Sequence, residues 1–229
     1  MTNFRKIVRK YYFSVEGETE KRYLEWLARA INDAPTAEAA VKFDVKVCKD
    51  PVSRIKQLAP SPKEIFHVFD IESQEQVHVE QTLKTLDRLK KASSLKSTEY
   101  VIGYSNYSFE LWIVLHKVDG RAPLAHRRQY LKAINKAFGT QFEDLHEYKH
   151  EDKFKKVLAQ LSLEDALSAV VRAKDIMKMV EQDFKPIVRS GYRYFRENPS
   201  LSLHTVVGKI LAECGLIKPL KNTKRQKQR

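Results

Sequence analysis

Apolar runs of strand length alternate with helical patterns over the first half of the chain. The alternation predicts an α/β domain with a mainly parallel four-stranded sheet flanked by helices. Residues 41–48 alternate apolar with polar positions, which favours a half-buried edge strand. The predicted strands are 7–15, 41–48, 64–70 and 99–105, and the predicted helices between them are 18–32, a short helix from Pro51, and 74–92.

The second half of the chain has mostly helical periodicity. The predicted helices are 109–117, about 125–137, 152–160, 163–184 and 203–214, with Gly215 as the C-terminal cap of the last one. The tyrosine-rich stretch 191–200 is predicted to be a loop between helices. We expect an α/β core over 1–108, a helical extension packed on it over 109–216, and a basic disordered tail over 217–229.

Composition excludes several classes of protein. Of the 229 residues, 42% are hydrophobic and 10% aromatic, which is enough for a packed core and excludes general disorder. No apolar run reaches the roughly 20 residues that a membrane-spanning helix needs, and the first residues lack the apolar core of a secretory signal. The two cysteines, Cys48 and Cys214, have no spacing typical of a disulfide framework or a zinc site. We therefore expect a cytoplasmic protein.

The positive charge is concentrated at the ends of the chain. The formal net charge is +13, and residues 1–10 and 221–229 contain cations but no acids. One interpretation is a solvated tail, and the other is a tail that contacts phosphate groups. The two interpretations are compatible. There is no GxxxxGK[ST] or GxGxxG pattern, so the sequence contains no signal for a loop that binds ATP or a dinucleotide.

Acidic side chains follow three of the predicted strands. Glu16 and Glu20 come after the first strand, Asp70 and Glu72 end the third, and Glu110 follows the fourth. Functional groups of parallel sheets lie beyond the carboxyl ends of the strands, so these acids are expected at one edge. Converging carboxylates are suitable ligands for Mg²⁺ or Mn²⁺, and a pair of such ions would promote phosphodiester cleavage. The alternative is that these acids cap helices or turns.

Four segments resemble those of a known family. FSVEGETEKRYLEWL is similar to the EGxTE…Y signature that opens the RloB family, and VFDIES is similar to its acidic strand end. SNYSFELWIVLH matches its S/N-P-x-F-E-x-W-x-L-x-H block, and ENPSLSLHTVVGKIL resembles its closing NPSTxVxxLV segment. The four segments occur in the family's order, and the resemblance covers residues 8 to about 214.

The resemblance implies a Toprim-like, metal-dependent nuclease of anti-phage abortive-infection defence. The family is related to the toxin AbiLii and, more distantly, to OLD-type and AriB-type nucleases, and its members are commonly encoded beside an ABC- or SMC-like ATPase that controls them. By position, the implied catalytic residues are Glu16, Asp70 and Glu72, and the implied ligands of Mg²⁺ or Mn²⁺ are Glu16, Glu20, Asp70, Glu72 and Glu110. Toprim enzymes have Asp-x-Asp where this chain has Asp-x-Glu, and the longer arm of glutamate would shift a metal ion.

Other candidate residues keep alternative interpretations. Many relatives have a lysine two places after a tyrosine, where this chain has His150 with Lys149 beside it, so a phosphate-contacting cation is unassigned. His116 is interpreted as a core or hydrogen-bonding histidine rather than a metal ligand. The stretch 192–196 mixes tyrosines with arginines, which is typical of single-stranded nucleic-acid or tRNA surfaces and also of packing between helices.

Two functions follow from these patterns. The first is a metal-dependent endonuclease that acts on RNA such as tRNA, or on DNA, under the control of a partner ATPase. The second is a non-catalytic subunit that binds nucleic acid or regulates the ATPase, which the Asp-x-Glu departure favours. The oligomeric state, including a homodimer, is left open.

Overall fold

A computed structural model describes residues 6–218 of the chain. The strands are β1 (Ile7–Val15), β2 (Ala39–Val47), β3 (Glu64–Ile71), β4 (Glu99–Asn106), β5 (Ile187–Arg189), β6 (Tyr192–Tyr194) and β7 (Ser200–Leu201). The α-helices are α1 (Glu18–Asp33), α2 (Pro51–Lys56), α3 (Gln76–Lys96), α4 (Phe109–Lys117), α5 (Tyr130–Phe138), α6 (Leu145–Lys149), α7 (Glu151–Leu158), α8 (Leu163–Asp183) and α9 (Leu203–Glu213). A short 3₁₀ helix, Arg127–Gln129, precedes α5.

The main sheet has the strand order β2-β1-β3-β4-β7. The first four strands are parallel, and β7 pairs antiparallel with β4. The mixed α/β class and the helical second half are confirmed, and β2 lies at the sheet edge as its alternating pattern predicted. The antiparallel fifth strand was not predicted.

Apolar side chains of β1 and β3 cover both faces of the sheet because successive residues point to opposite sides. Phe13 and Phe66 belong to the larger core cluster, together with residues of α1, α4, α8 and α9. Ile65 and Phe69 belong to a second cluster with residues of α2 and α3. The sheet is therefore buried between two layers of helices, which explains why β3 is an almost continuous apolar run.

The helical second half packs against the sheet and against itself. Helix α4 contacts α5 and α8, and α9 contacts both α8 and β4. Trp112 and Phe109 of α4 are fully buried, which confirms their assignment to the core, and Trp26 packs against the same cluster. Whether the chain divides at residue 108 stays a prediction, although β7 adds residues 200–201 to the sheet of the first half.

The prediction of a loop over 191–200 is wrong. Strands β5 and β6 form an antiparallel hairpin, and β7 joins the main sheet. The two residues between β5 and β6, Ser190 and Gly191, both have positive φ, which is the backbone that a two-residue hairpin turn needs. Tyr194 and Phe195 are buried, so the tyrosines of this stretch are core and hairpin residues.

Two other boundaries differ from the predictions. The helix predicted from 125 begins as the 3₁₀ helix, and α6 was not predicted at all. Helix α6 has only five residues and is capped by Asp144, whose side chain accepts from the Glu147 N–H at 2.7 Å. Gly215, with φ 74°, follows the last helix as predicted. Residues 219–229 of the predicted tail lie outside the described residues, and no described helix is long and apolar enough to cross a membrane.

The Asn106 side chain attaches the segment before β7 to the carboxyl end of β4. Its Nδ2 donates to the backbone carbonyls of Phe195, Arg196 and Glu197 at 3.4, 2.8 and 3.0 Å. In return, Asn198 Nδ2 donates to the Asn106 carbonyl at 2.7 Å. Asn106 is fully buried, so these bonds are protected from water and fix the chain beside the sheet edge.

Replacing Asn106 tests this attachment. Asn106→Ala is expected to lower the free energy of unfolding by about 1–3 kcal/mol because buried carbonyls lose their donor. Asn106→Asp has the same shape but points an acceptor at three carbonyls, so it is expected to destabilise the fold more than Ala does. Thermal unfolding of the two variants measures both effects. Equal melting temperatures would show that the amide donor is not what holds this segment.

Candidate active site

Four carboxylates meet at the carboxyl edge of the sheet. Glu16 directly follows β1, and Asp70 is the next-to-last residue of β3. Glu20 and Glu110 lie in the first turns of α1 and α4. We call these four residues the acidic cluster. Glu16 Oε2 accepts a hydrogen bond from the Asp70 backbone N–H at 3.2 Å, so the ends of β1 and β3 are directly joined through this side chain.

Glu20 and Glu110 are the most buried members of the acidic cluster. Glu20 is 6% exposed and Glu110 is 0% exposed, and the Oε2 atom of each has no hydrogen-bond partner among the described residues. A Cβ atom built on Gly17 would lie 3.0 Å from Glu20 Oε2, so the glycine allows the carboxylate to lie against the start of α1. The position near a helix N-terminus is favourable for a negative charge.

Burial and mutual repulsion change the acidity of the acidic cluster. Burial, followed by the charges of Glu20, Glu110 and Glu16, raises the pKa of Asp70 well above its usual range. Burial also raises the pKa of Glu16, against the opposing effects of the Asp70 N–H and the charge of Lys49. Burial and the charge of Glu110 raise the pKa of Glu20 to about 7. These side chains are close enough that ionising one disfavours ionising the next.

Lys149 provides the positive charge nearest to the acidic cluster. Its Nζ lies 2.9 Å from Glu110 Oε1, and its side chain is 39% exposed. Burial opposes the ammonium form, but the charges of Glu110, Asp70 and Glu20 outweigh it and the pKa of Lys149 is raised. The sequence left the choice between Lys149 and His150 open. In the structure Lys149 reaches the cluster, while His150 lines a surface depression with acids of α6 and the preceding loop.

Tyr148 was missed by the sequence analysis as a neighbour of the site. It is fully buried, and its hydroxyl has no hydrogen-bond partner in the part of the chain that the structure describes. Burial and the charges of Glu110 and Glu20 raise its pKa well above the usual value. The only signal in the sequence was the Tyr148-Lys149 pair, and the five-residue helix that carries it is too short to give a periodic pattern.

Glu72 has contacts of its own beside the acidic cluster. Its carboxylate lies 3.3 Å from Arg127 Nη1 of the 3₁₀ helix and 3.3 Å from His78 Nε2 of α3, and its side chain is 39% exposed. The expectation that Asp70 and Glu72 project to one side stays a prediction. The charge of Glu72 contributes to the raised pKa of Glu16.

His116 is a core histidine. It is 1% exposed, its Nδ1 lies 2.9 Å from the Trp112 carbonyl, and its Nε2 lies 3.1 Å from the Tyr23 hydroxyl. Burial lowers the pKa of His116 to about 4, so the ring is neutral at pH 7. The preferred interpretation of this residue from the sequence is confirmed.

The acidic cluster has the donor chemistry of a site for a hard divalent cation. All of its side chains offer oxygen, which suits Mg²⁺ or Mn²⁺, and two buried oxygens lack partners. Over residues 6–218, however, no three acidic, histidine or cysteine side chains are arranged to hold a metal ion together. Lys149 supplies the positive charge that faces these oxygens.

The raised pKa of Glu20 has a consequence for stability. The pKa of Glu20 is about 7 in the folded protein against 4.5 for the free side chain, so the folded protein holds the proton more tightly. The free energy of unfolding therefore falls as the pH rises from about 4.5 to 7, and the full loss is reached above pH 7. Glu20→Gln is expected to stabilise the protein at pH 8 by at least about 1 kcal/mol, or roughly 2–4 °C in melting temperature. Most of the difference is expected to disappear at pH 5, where the folded carboxyl is protonated.

The control for this prediction is Glu181→Gln, which removes an exposed acid of α8. It is expected to leave the melting temperature nearly unchanged at both pH values. A Glu20→Gln variant that is no more stable than wild type at pH 8 would contradict a buried, repelled carboxylate.

The comparisons with known proteins give one match. A family model described as RloB-like protein matches residues 11–210. Searches of curated proteins and of solved structures found no match. The matched region includes the second half of β1, all of β3 and β4, and every residue of the acidic cluster.

Proposed function

Because the chain belongs to the RloB-like protein family, we propose that it is a divalent-metal-dependent endonuclease of anti-phage defence. The observation that carries the proposal is the acidic cluster, in which two strand ends and two helix starts place four carboxylates at the edge where parallel sheets bind their ligands. Its expected partners are a nucleic-acid substrate, such as tRNA or DNA, and an ABC- or SMC-like ATPase that controls it.

The burial of these carboxylates supports a catalytic role. The hydrogen bond from the Asp70 backbone N–H holds the Glu16 carboxylate beside the end of β3, where Asp70 also lies. Burial raises the pKa of Glu16, and a carboxyl that holds a proton closer to neutral pH is suited to general acid/base catalysis. We propose that Glu16, Glu20, Asp70 and Glu110 hold Mg²⁺ or Mn²⁺. When bound, such an ion would activate water and stabilise the leaving oxygen of the phosphodiester.

Glu72 has a different place in this proposal. Its contacts with Arg127 and His78 engage the carboxylate, so a role as metal ligand would require it to leave these two side chains. We propose that Glu72 orients the 3₁₀ helix at the site, and its predicted role in catalysis stays a prediction. In this proposal the longer side chain of Glu72, which stands where Toprim enzymes have an aspartate, serves to contact Arg127.

The proposal is tested by expressing the protein in bacteria, alone and with the ATPase encoded nearby. Wild type is expected to arrest growth and to cleave one class of nucleic acid, seen on gels of total tRNA and genomic DNA. Glu16→Gln and Asp70→Asn each remove a charge from the acidic cluster and are expected to reduce cleavage by purified protein at least about 100-fold. Glu181→Gln, expressed to the same level, is the matched control and is expected to behave as wild type.

The same variants separate the nuclease from a non-catalytic subunit. The absence of three converging ligands in residues 6–218 favours the second function, a subunit that binds nucleic acid or regulates the ATPase. A metal-binding nuclease gains stability with Mn²⁺ by mass action, about 2.7 kcal/mol when the ion is at 100 times its dissociation constant. If Mn²⁺ leaves the melting temperature unchanged, and Glu16→Gln arrests growth as wild type does, the catalytic proposal is wrong.

Lys149 gives a second prediction for the metal site. Lys149→Met keeps the aliphatic stem but leaves Glu110 buried without its counter-charge, so it is expected to lower stability without metal. The loss is expected to be about 1–3 kcal/mol because water already screens this partly exposed lysine. Since the ammonium no longer competes for the same oxygens, Mn²⁺ is expected to raise the melting temperature of the variant more than that of wild type.

The control for Lys149→Met is Lys153→Met. Lys153 Nζ lies 3.2 Å from Glu147 Oε1, and this pair lies on α6 and α7 away from the acidic cluster. The control is expected to show the wild-type response to Mn²⁺. Equal responses in the two variants would show that Lys149 and the metal ion do not share a site.

A further inference from the structure

Three exposed cations on segments that pack at the carboxyl edge of the sheet have no ion pair with any residue in the range 6–218. They are Lys49, Arg128 and Arg196, and we call them the cationic rim. Lys49 and Arg196 lie on loops and Arg128 lies in the 3₁₀ helix, and each of these segments is attached near the carboxyl end of a different strand. The rim is therefore a row of positive charges along the edge that carries the acidic cluster.

Lys49 lies at the end of β2. The Cys48 N–H donates to the Val15 carbonyl at 2.9 Å, which keeps the chain after β2 beside the end of β1. Val15 directly precedes Glu16, so this hydrogen bond places the Lys49 segment beside the first residue of the acidic cluster. Its side chain is exposed to solvent.

Arg128 lies near the end of β3. The neighbouring Arg127 contacts Glu72 at 3.3 Å, and this ion pair ties the 3₁₀ helix to the segment that follows β3. Arg127 thus has an acid partner in the protein. Arg128 is exposed and has none among the described residues, so its guanidinium is available to a ligand.

Arg196 lies at the end of β4. Its backbone carbonyl accepts from Asn106 Nδ2 at 2.8 Å and from Gln74 Nε2 at 3.3 Å, so two side chains of the carboxyl edge hold its main chain. The side chain is exposed. Asp50, another acid of this edge, is already bound by Arg88 at 2.7 Å, so it does not neutralise the rim.

The strand order sets the size of the ligand. The rim runs from the end of β2 to the end of β4, and β1 and β3 lie between them. Three spacings of about 4.8 Å give roughly 15 Å. One nucleic-acid strand has a phosphate about every 3.4 Å of its axis, so this distance matches about four phosphates and exceeds a mononucleotide.

The aromatic rings next to Arg196 offer no open stacking surface. Tyr194 and Phe195 are 2% and 4% exposed, so their faces are not available to bases. Tyr192 is partly buried, and its hydroxyl lies 3.5 Å from Ser93 Oγ. The charges of the rim, which contact phosphates, are therefore the groups by which it would hold a ligand.

We propose that Lys49, Arg128 and Arg196 bind the phosphate backbone of a polynucleotide strand that crosses the acidic cluster. This inference deepens the proposed function, because it names a polynucleotide of at least about four phosphates as the ligand of that edge. Binding depends on charge and length and is largely independent of base sequence. The strand enters beside β2 and leaves beside β4, or the reverse.

The experiment measures binding without metal, so that it does not depend on cleavage. The full-length protein in EDTA is titrated against fluorescent 12-residue oligo(dT) and oligo(rU), and anisotropy is followed from 50 to 200 mM salt. In the rim variant Arg128→Gln/Arg196→Gln, affinity is expected to fall about tenfold or more at 0.1 M salt. The slope of log affinity against log salt is expected to decrease in magnitude by about 1.4, because a single strand contributes about 0.7 for each phosphate contact.

The matched control is Arg9→Gln/Arg29→Gln. Both are exposed arginines without an ion pair in the described residues, and both lie toward the opposite end of the sheet, near the start of β1 and the end of α1. The control is expected to keep the wild-type slope. A dinucleotide is expected to compete at least tenfold more weakly than the 12-residue strand.

Each outcome decides a separate question. Equal losses in the rim and control variants, or equal competition by the dinucleotide, would overturn the rim and indicate general attraction to a basic protein. If the rim variant binds normally but wild type cleaves nucleic acid with Mn²⁺, the rim inference fails and the nuclease proposal stands. If binding follows the rim but no metal supports cleavage, the rim stands and the catalytic proposal fails.

Discussion

The convergence of four carboxylates, two of them buried, at one edge of the sheet is the constraint on which the rest of the site depends. Parallel pairing of β1, β3 and β4 brings their carboxyl ends together, and the acids that follow them cannot separate without breaking that pairing. The repulsion is reduced by proton binding, by Lys149, or by an added cation. The same geometry that makes the edge costly to fold makes it selective for positive ligands.

The counter-charge comes from the helical half of the protein. Lys149 lies at the end of α6, more than 30 residues after Glu110, and Arg22 of α1 is tied to Glu151 of α7 at 2.9 Å. The sheet and the helices therefore share one electrostatic network at the site. A change in the position of α6 and α7 would alter the positive charge near the acidic cluster even if the strands did not move.

The sequence predicted the four parallel strands, β1 to β4, because each is a short apolar run that ends at a glycine, an acid or a polar turn. It also predicted which acids occupy the strand ends, because parallel topology determines where those ends meet. It could not predict the ion pair between Glu72 and Arg127, because this contact joins segments that are distant in sequence. It missed β5 to β7 because strands of two or three residues have no measurable period, and their tyrosines resemble a binding surface.

The contact between the two ends of the chain has a consequence for the order of synthesis. Tyr11 donates to Glu213 at 2.7 Å, and the Glu38 N–H donates to the Cys214 carbonyl at 2.9 Å. The first strand thus reaches its final surroundings only after the last helix has left the ribosome. A nascent or truncated chain that ends before α6 carries the acids of the strand ends without Lys149, so it lacks the counter-charge of the acidic cluster.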